Sequence, residues 1–295
     1  MKKPIRLITA ALSAMMLASC NWFEYHPYAS KISGTTQVNS KSIEAIRGKV
    51  ADVPFKFAFI TDTQGSYDDT RKALDAIKAR GDIDFIIHGG DQTDFGLPKE
   101  YIWCRDMFES AGLPFVTVIG NHDCLGNGED TFRYIYGPVN FSFNVGPVHF
   151  LCLNTVALEY DYSEPVPDLD FIESDYLALD RANSESPGTV THTIAVMHSR
   201  PNDDQFNNNV AKPFNNYLMH FPGMGGEDDN VEGTGGYKDG TKARAFCING
   251  HNHSQEVVDM YGNGILYYQC PNVAKRMFFV FTVTDGGYDY EAVEF

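Results

Sequence analysis

The stretch Phe55-Lys56-Phe57-Ala58-Phe59-Ile60-Thr61 is apolar and of strand length, and it breaks off into Asp62-Thr63-Gln64. The same grammar recurs along the chain. Asp84 to His88 leads into Gly90-Asp91-Gln92-Thr93-Asp94, and Phe115 to Ile119 leads into Gly120-Asn121-His122-Asp123. Thr191 to Met197 ends at His198, and Ala243 to Ile248 leads into Gly250-His251-Asn252-His253. Each hydrophobic run reads as a β-strand, and each delivers Asp, Asn, Gln or His at its C-terminal end. Loops at that edge of an α/β sheet are where such folds place their chemistry. Oxygen and imidazole donors from five loops, brought to one point, form a metal site with donors enough for two cations.

The intervening segments set the topology. Asp68 to Arg80 carries Ala73, Leu74 and Ile77 at helical spacing and closes on Gly81. Pro98 to Ser110 has Pro near its start and Gly112 past its end, as a helix should. The resulting βαβαβ order implies parallel strands in an α/β domain. Phe141 to Val145 and Val148 to Asn154 flank Gly146-Pro147, a hairpin signal. Asp168 to Arg181 keeps Phe171, Ile172, Tyr176 and Leu179 on one stripe. The tail from Gln255 to Phe295 alternates short strands with Gly turns and reads as antiparallel β. We expect a domain over residues 51–295, preceded by a tether and loosely structured lead-in over 20–50. Within the domain, residues 200–241 are rich in Asn and Gly with little periodicity, and are expected to be an insert over the site mouth.

The chain has 295 residues, 43% of them hydrophobic, so a sizeable core is available. A net charge of −16 speaks against nucleic acid as a partner. At the N-terminus, Lys2, Lys3 and Arg6 precede an apolar run, Leu7 to Leu17, too short to span a bilayer. Leu17-Ala18-Ser19-Cys20 resembles the bacterial lipobox. That resemblance implies a signal peptide over 1–19, a lipid on Cys20, and anchoring to a membrane of the bacterial cell envelope, on its periplasmic side or outer surface. Five other cysteines remain, none in a CxxC spacing, so a thiolate zinc site is not expected.

The ordered series Asp-x-Gln, Gly-Asp-x-x-Asp, Gly-Asn-His-Asp, His, Gly-His-x-His over roughly residues 55–255 resembles the calcineurin-like metallophosphoesterase superfamily. The resemblance implies a sandwich of two mixed β-sheets flanked by helices. It also implies an enzyme that hydrolyses a phosphomonoester or phosphodiester, small molecule or phosphoprotein, with a hydroxide bridged by two divalent metals. Asp62, Gln64, Asp91 and His253 would hold the first metal, and Asp91, Asn121, His198 and His251 the second. His122 would face the leaving oxygen, oriented by Asp94, with Asp123 the less favoured orienter. Arg200, two residues past His198, lies within reach of a phosphate oxygen.

Two features depart from the family pattern. Gln64 stands where His is usual, and its carbonyl is a harder ligand than imidazole. Among Mn, Fe, Zn and Mg, it should favour Mn or Fe at that site. Phe95 follows Asp94 where the protein Ser/Thr phosphatase branch has Arg. The alternative to an enzyme is a module of the same fold that binds metal or a phosphorylated ligand without turnover. Gln64 favours that alternative, and His122 with Asp94 weighs against it.

Overall fold

A computed structural model describes residues 26–160, 163–224 and 244–295. Residues 1–19, expected to be a signal peptide, Cys20 and the latter part of the insert, 225–241, lie outside the described residues.

The first sheet has the order β11-β10-β1-β2-β3. Its strands are β1 (Phe55–Ile60), β2 (Phe85–His88), β3 (Phe115–Thr117), β10 (Met277–Thr284) and β11 (Gly287–Glu294). β1, β2 and β3 run parallel, as the βαβαβ reading requires, while β10 pairs antiparallel with both β1 and β11. The second sheet has the order β4-β5-β6-β7-β9-β8. Its strands are β4 (Phe141–Val145), β5 (Val148–Leu153), β6 (His192–Met197), β7 (Phe246–Asn249), β8 (Glu256–Asp259) and β9 (Leu266–Gln269). The β4–β5 hairpin forms as read. The tail is less uniform than expected: β9 runs parallel to β7, and only its other side pairs antiparallel, with β8.

Alternation along each strand explains the layers. Phe55, Phe57 and Phe59 of β1 face a core shared with Phe150 of β5, Phe246 of β7 and Phe281 of β10. Their rings interlock across the gap: Phe57 meets Phe150 edge-on at 5.6 Å, and Phe246 stacks on Phe281 at 4.7 Å. The alternate residues Ala58 and Ile60 face a second core. There they meet Leu74 and Ile77 of α2 (Tyr67–Arg80), Tyr101 and Phe108 of α3 (Pro98–Ser110), and Phe132 of α4 (Gly128–Ile135). Leu151, Ala195, Met197 and Cys247 do the same behind the second sheet, against α5 (Leu169–Glu185) and α6 (Ala211–Leu218). Strands buried on both faces read as nearly continuous apolar runs, which is what β1, β5 and β6 are. The architecture is therefore two mixed sheets face to face, with helices on both outer sides.

Two expectations are corrected. Part of the lead-in is a helix, α1 (Val38–Lys49). Buried Asn39 on that helix donates to the carbonyl of Thr117 at 2.9 Å and accepts its N–H at 3.0 Å. The free edge of β3 is thereby capped by an amide side chain rather than left as a template for pairing. Part of the insert is also more ordered than its composition suggests. α6 lies within it, and Phe206, Phe214, Leu218, Phe221 and Met224 are core residues. Among the described residues no helix is long and apolar enough to cross a membrane.

Candidate metal centre

Every strand that carries a motif ends at the same rim of the sandwich. Asp62 follows β1, Asp91 follows β2, His198 follows β6, and His251 and His253 follow β7. Four of these residues have left-handed backbones: Asp62 at φ 52°, Asp91 at 58°, His251 at 73° and His253 at 55°. A non-glycine residue held there costs on the order of 1–3 kcal/mol, and such costs concentrate at functional sites. Glycines make the close approach possible. A Cβ on Gly120 would overlap Asp91 Oδ1, and one on Gly250 would overlap Thr61 and Asp62 Oδ2.

Asp62, Asp91 and His198 are buried and bring ligand atoms within 4.8 Å of one another. His198 Nδ1 donates to the carbonyl of Gly89 at 2.8 Å. Its Nε2 lies 3.1 Å from Asn121 Oδ1 and 3.2 Å from Asp91 Oδ2. Gln64 Nε2 is 3.4 Å from the same Asp91 oxygen. Asp91 Oδ1 accepts the N–H of His122 at 2.9 Å. Across the site, His253 Nε2 comes within 3.1 Å of Asp62 Oδ1, off the direction of a hydrogen bond. His251 donates its N–H to Asp62 Oδ2 at 3.1 Å, and its ring sits 5.3 Å from that of His198. The seven residues expected to bind metal thus form one connected cluster.

The cluster fits divalent cations. Asp62 Oδ1 and Gln64 Oε1 are buried polar atoms without a hydrogen-bonding partner, which is costly unless something else satisfies them. Carboxylate, amide and imidazole donors together suit Mn, Fe or Zn. Burial works against a charge on His198, yet the Asp91 and Asp62 carboxylates raise it to about 10. Burial likewise works against Asp62 as an anion, but the nearby His253 and His198 hold its carboxyl below the usual range. The pocket therefore concentrates negative charge from two buried carboxylates, and a cation would replace the imidazolium protons that balance it.

The residues around this cluster need some correction. His122 Nδ1 lies 3.0 Å from the main-chain carbonyl of Asp94, so the orientation expected from the Asp94 carboxylate comes from its backbone. Arg200 is buried, bonds Glu256, and sits beside Asp203, while its Nε and Nη1 have no hydrogen-bonding partner. Asp123 has a role that the sequence did not disclose. Its buried carboxylate accepts N–H groups from Asp91, Gln92, Thr93 and Gly120 at 2.9–3.0 Å, together with the Thr93 hydroxyl. It clamps two ligand-bearing loops together. The only hint was an acid one residue past His122. His88, read as a core histidine, is buried, bonded to Thr63 and packed edge-on against Phe108; burial pushes it down to about 3. All five cysteines among the described residues are free.

The family model described as calcineurin-like phosphoesterase matches residues 55–255, and the chain belongs to that family. It is a phosphoric ester hydrolase that depends on divalent metal ions. A dimetal phosphatase from Danio rerio shares the fold at TM-score 0.56 and 11% identity, over 82% of this chain and 99% of that one. The purple acid phosphatase PPD1 from yellow lupin seeds aligns at TM-score 0.53 and 14% identity, over 82% of this chain and 52% of that one. No curated protein sequence matches significantly.

Proposed function

We propose that the chain binds two divalent cations and hydrolyses a phosphomonoester or phosphodiester outside the cytoplasm. Asp62, Gln64, Asp91 and His253 would hold one cation, and Asp91, Asn121, His198 and His251 the other. The observation that carries this reading is the position of Asp91. It stands between the Gln64 side and the His198–Asn121 side, with one carboxylate oxygen within 3.4 Å of both Gln64 and His198. A carboxylate so placed can serve two cations at once.

When bound, the cations supply an activated water and neutralise charge on the phosphoryl oxygens. The protein supplies the rest. His122 is held through Nδ1–H by the Asp94 carbonyl, which leaves Nε2 free to face the departing oxygen; the imidazolium form carries a proton there and gives it up, becoming the neutral Nδ1–H ring. The His122 N–H on Asp91 Oδ1 ties this acid to the metal-binding carboxylate, so the two keep a fixed spacing. Asp123 keeps their loops in register. A location on the bacterial envelope, by lipid on Cys20, rests on the resemblance of Leu17 to Cys20 to a lipobox.

The test is turnover of p-nitrophenyl phosphate and of its bis ester in added Mn. Hydrolysis of at least one ester, lost in Asp91→Asn, is the expected result. Metal-loaded protein inert on both esters, or an Asp91→Asn variant as active as the parent, contradicts the proposal.

A further inference from the structure

His251 has a partner that no motif supplies. Its Nε2 lies 2.7 Å from Asp204 Oδ1, in the turn that follows β6. That turn is docked on the His251 loop at neighbouring points. Asn252 Nδ2 donates to Asp203 Oδ1 at 2.6 Å and to Gln269 Oε1 at 3.0 Å. Arg200 bonds Glu256, and the Arg200 N–H is held by Asp203 Oδ2 at 3.0 Å. Asp203 and Arg200 are buried, whereas the Asp204 side chain is 81% exposed. The base of the turn is thus fixed, and Asp204 reaches from it to one imidazole.

Building on the two-cation reading, we propose that Asp204 is a positioning residue for His251. A carboxylate on Nε2 keeps the proton there and leaves Nδ1 as the ring nitrogen with a lone pair for the second cation. It also restrains ring rotation, the usual effect of a carboxylate behind a metal-binding histidine. An exposed ion pair of this kind adds little to folding, so its placement is better explained by ligand orientation than by stability.

Calorimetric titration of the full mature chain with Mn tests this. Asp204→Ala should weaken one of the two binding events ten- to a hundredfold, leave the other within about twofold, and resemble Asn121→Ala, which removes a second-cation ligand. The thermal midpoint of the metal-free protein should not move. Asp204→Asn keeps an oxygen acceptor for Nε2–H and should recover most of the affinity. Two unchanged binding events in Asp204→Ala overturn the proposal, as does a lowered metal-free midpoint or an Asp204→Asn variant no better than Ala. A parent chain that takes up no Mn overturns the two-cation reading itself, and is told apart because the parent fails before any variant is compared.

Discussion

His198 is anchored by its Nδ1 on the carbonyl of Gly89 at 2.8 Å, and this turns Nε2 toward Asp91 and Asn121. Gly89 belongs to the loop that carries Asp91, so one hydrogen bond sets both the tautomer of His198 and its distance from the Asp91 carboxylate. Burial opposes the charge, but Asp91 and Asp62 raise His198 from 6.5 to about 10 in metal-free protein. That protonated pair stabilises the metal-free fold fully below pH 6.5, and its contribution is lost as pH rises through about 10. A cation on Nε2 must expel the proton. Apparent Mn affinity should therefore climb by up to about tenfold per pH unit between 7 and 9. Titrations in two buffers of different ionisation enthalpy should show about one proton released. A pH-independent affinity would mean that Nε2 does not coordinate.

Gln64 Oε1 is buried without a hydrogen-bonding partner, beside Asp91. Exchanging this hard oxygen for imidazole should shift metal preference. Gln64→His should raise Zn affinity relative to Mn, read by competition against a chromogenic chelator. Equal Zn binding in both forms would show that residue 64 makes no bond to metal.

His122 and Asp94 are expected to separate. His122→Ala should lower turnover by roughly two to four orders of magnitude with metal content intact. Asp94→Ala keeps the main-chain carbonyl that holds Nδ1, so on orientation alone it should cost less than about tenfold. Steady-state rates beside metal analysis of both variants check this. An Asp94→Ala defect as deep as that of His122→Ala would return the orienting role to the carboxylate.

Asp123→Ala strips the acceptor from four backbone N–H groups in two buried loops. Loss of about 3 kcal/mol or more of stability is expected, with metal affinity falling alongside, read by chemical denaturation of metal-free protein. A change below about 0.5 kcal/mol would remove the clamp from the account.

Much of the sandwich was legible because its strands are buried on both faces and end in polar loops. β1, with Phe55, Phe57 and Phe59 toward one core and Ala58 and Ile60 toward another, shows both properties at once. The residues proposed as metal ligands were legible as ordered motifs after strands. α1 was not, because its apolar stripe is thin and its decisive contact is an amide on the backbone of β3. The insert misled through its asparagines: Phe214, Leu218, Phe221 and Met224 recur at helical spacing, but polar neighbours masked the pattern. The parallel pairing of β9 with β7 arises from a crossover that local turn signals do not encode. Main-chain roles, such as the Asp94 carbonyl on His122, leave no mark on side-chain identity. The partnership of Asp204 with His251 joins residues far apart in the chain, which local spacing does not reveal.

The most direct test of the central claim is the number of cations bound per chain in the parent and in Asp91→Ala, by elemental analysis after equilibration with Mn. Two in the parent, and a loss of tight binding at both positions in the variant, is the result expected of a carboxylate shared between two cations. Two tightly held cations in Asp91→Ala would contradict it.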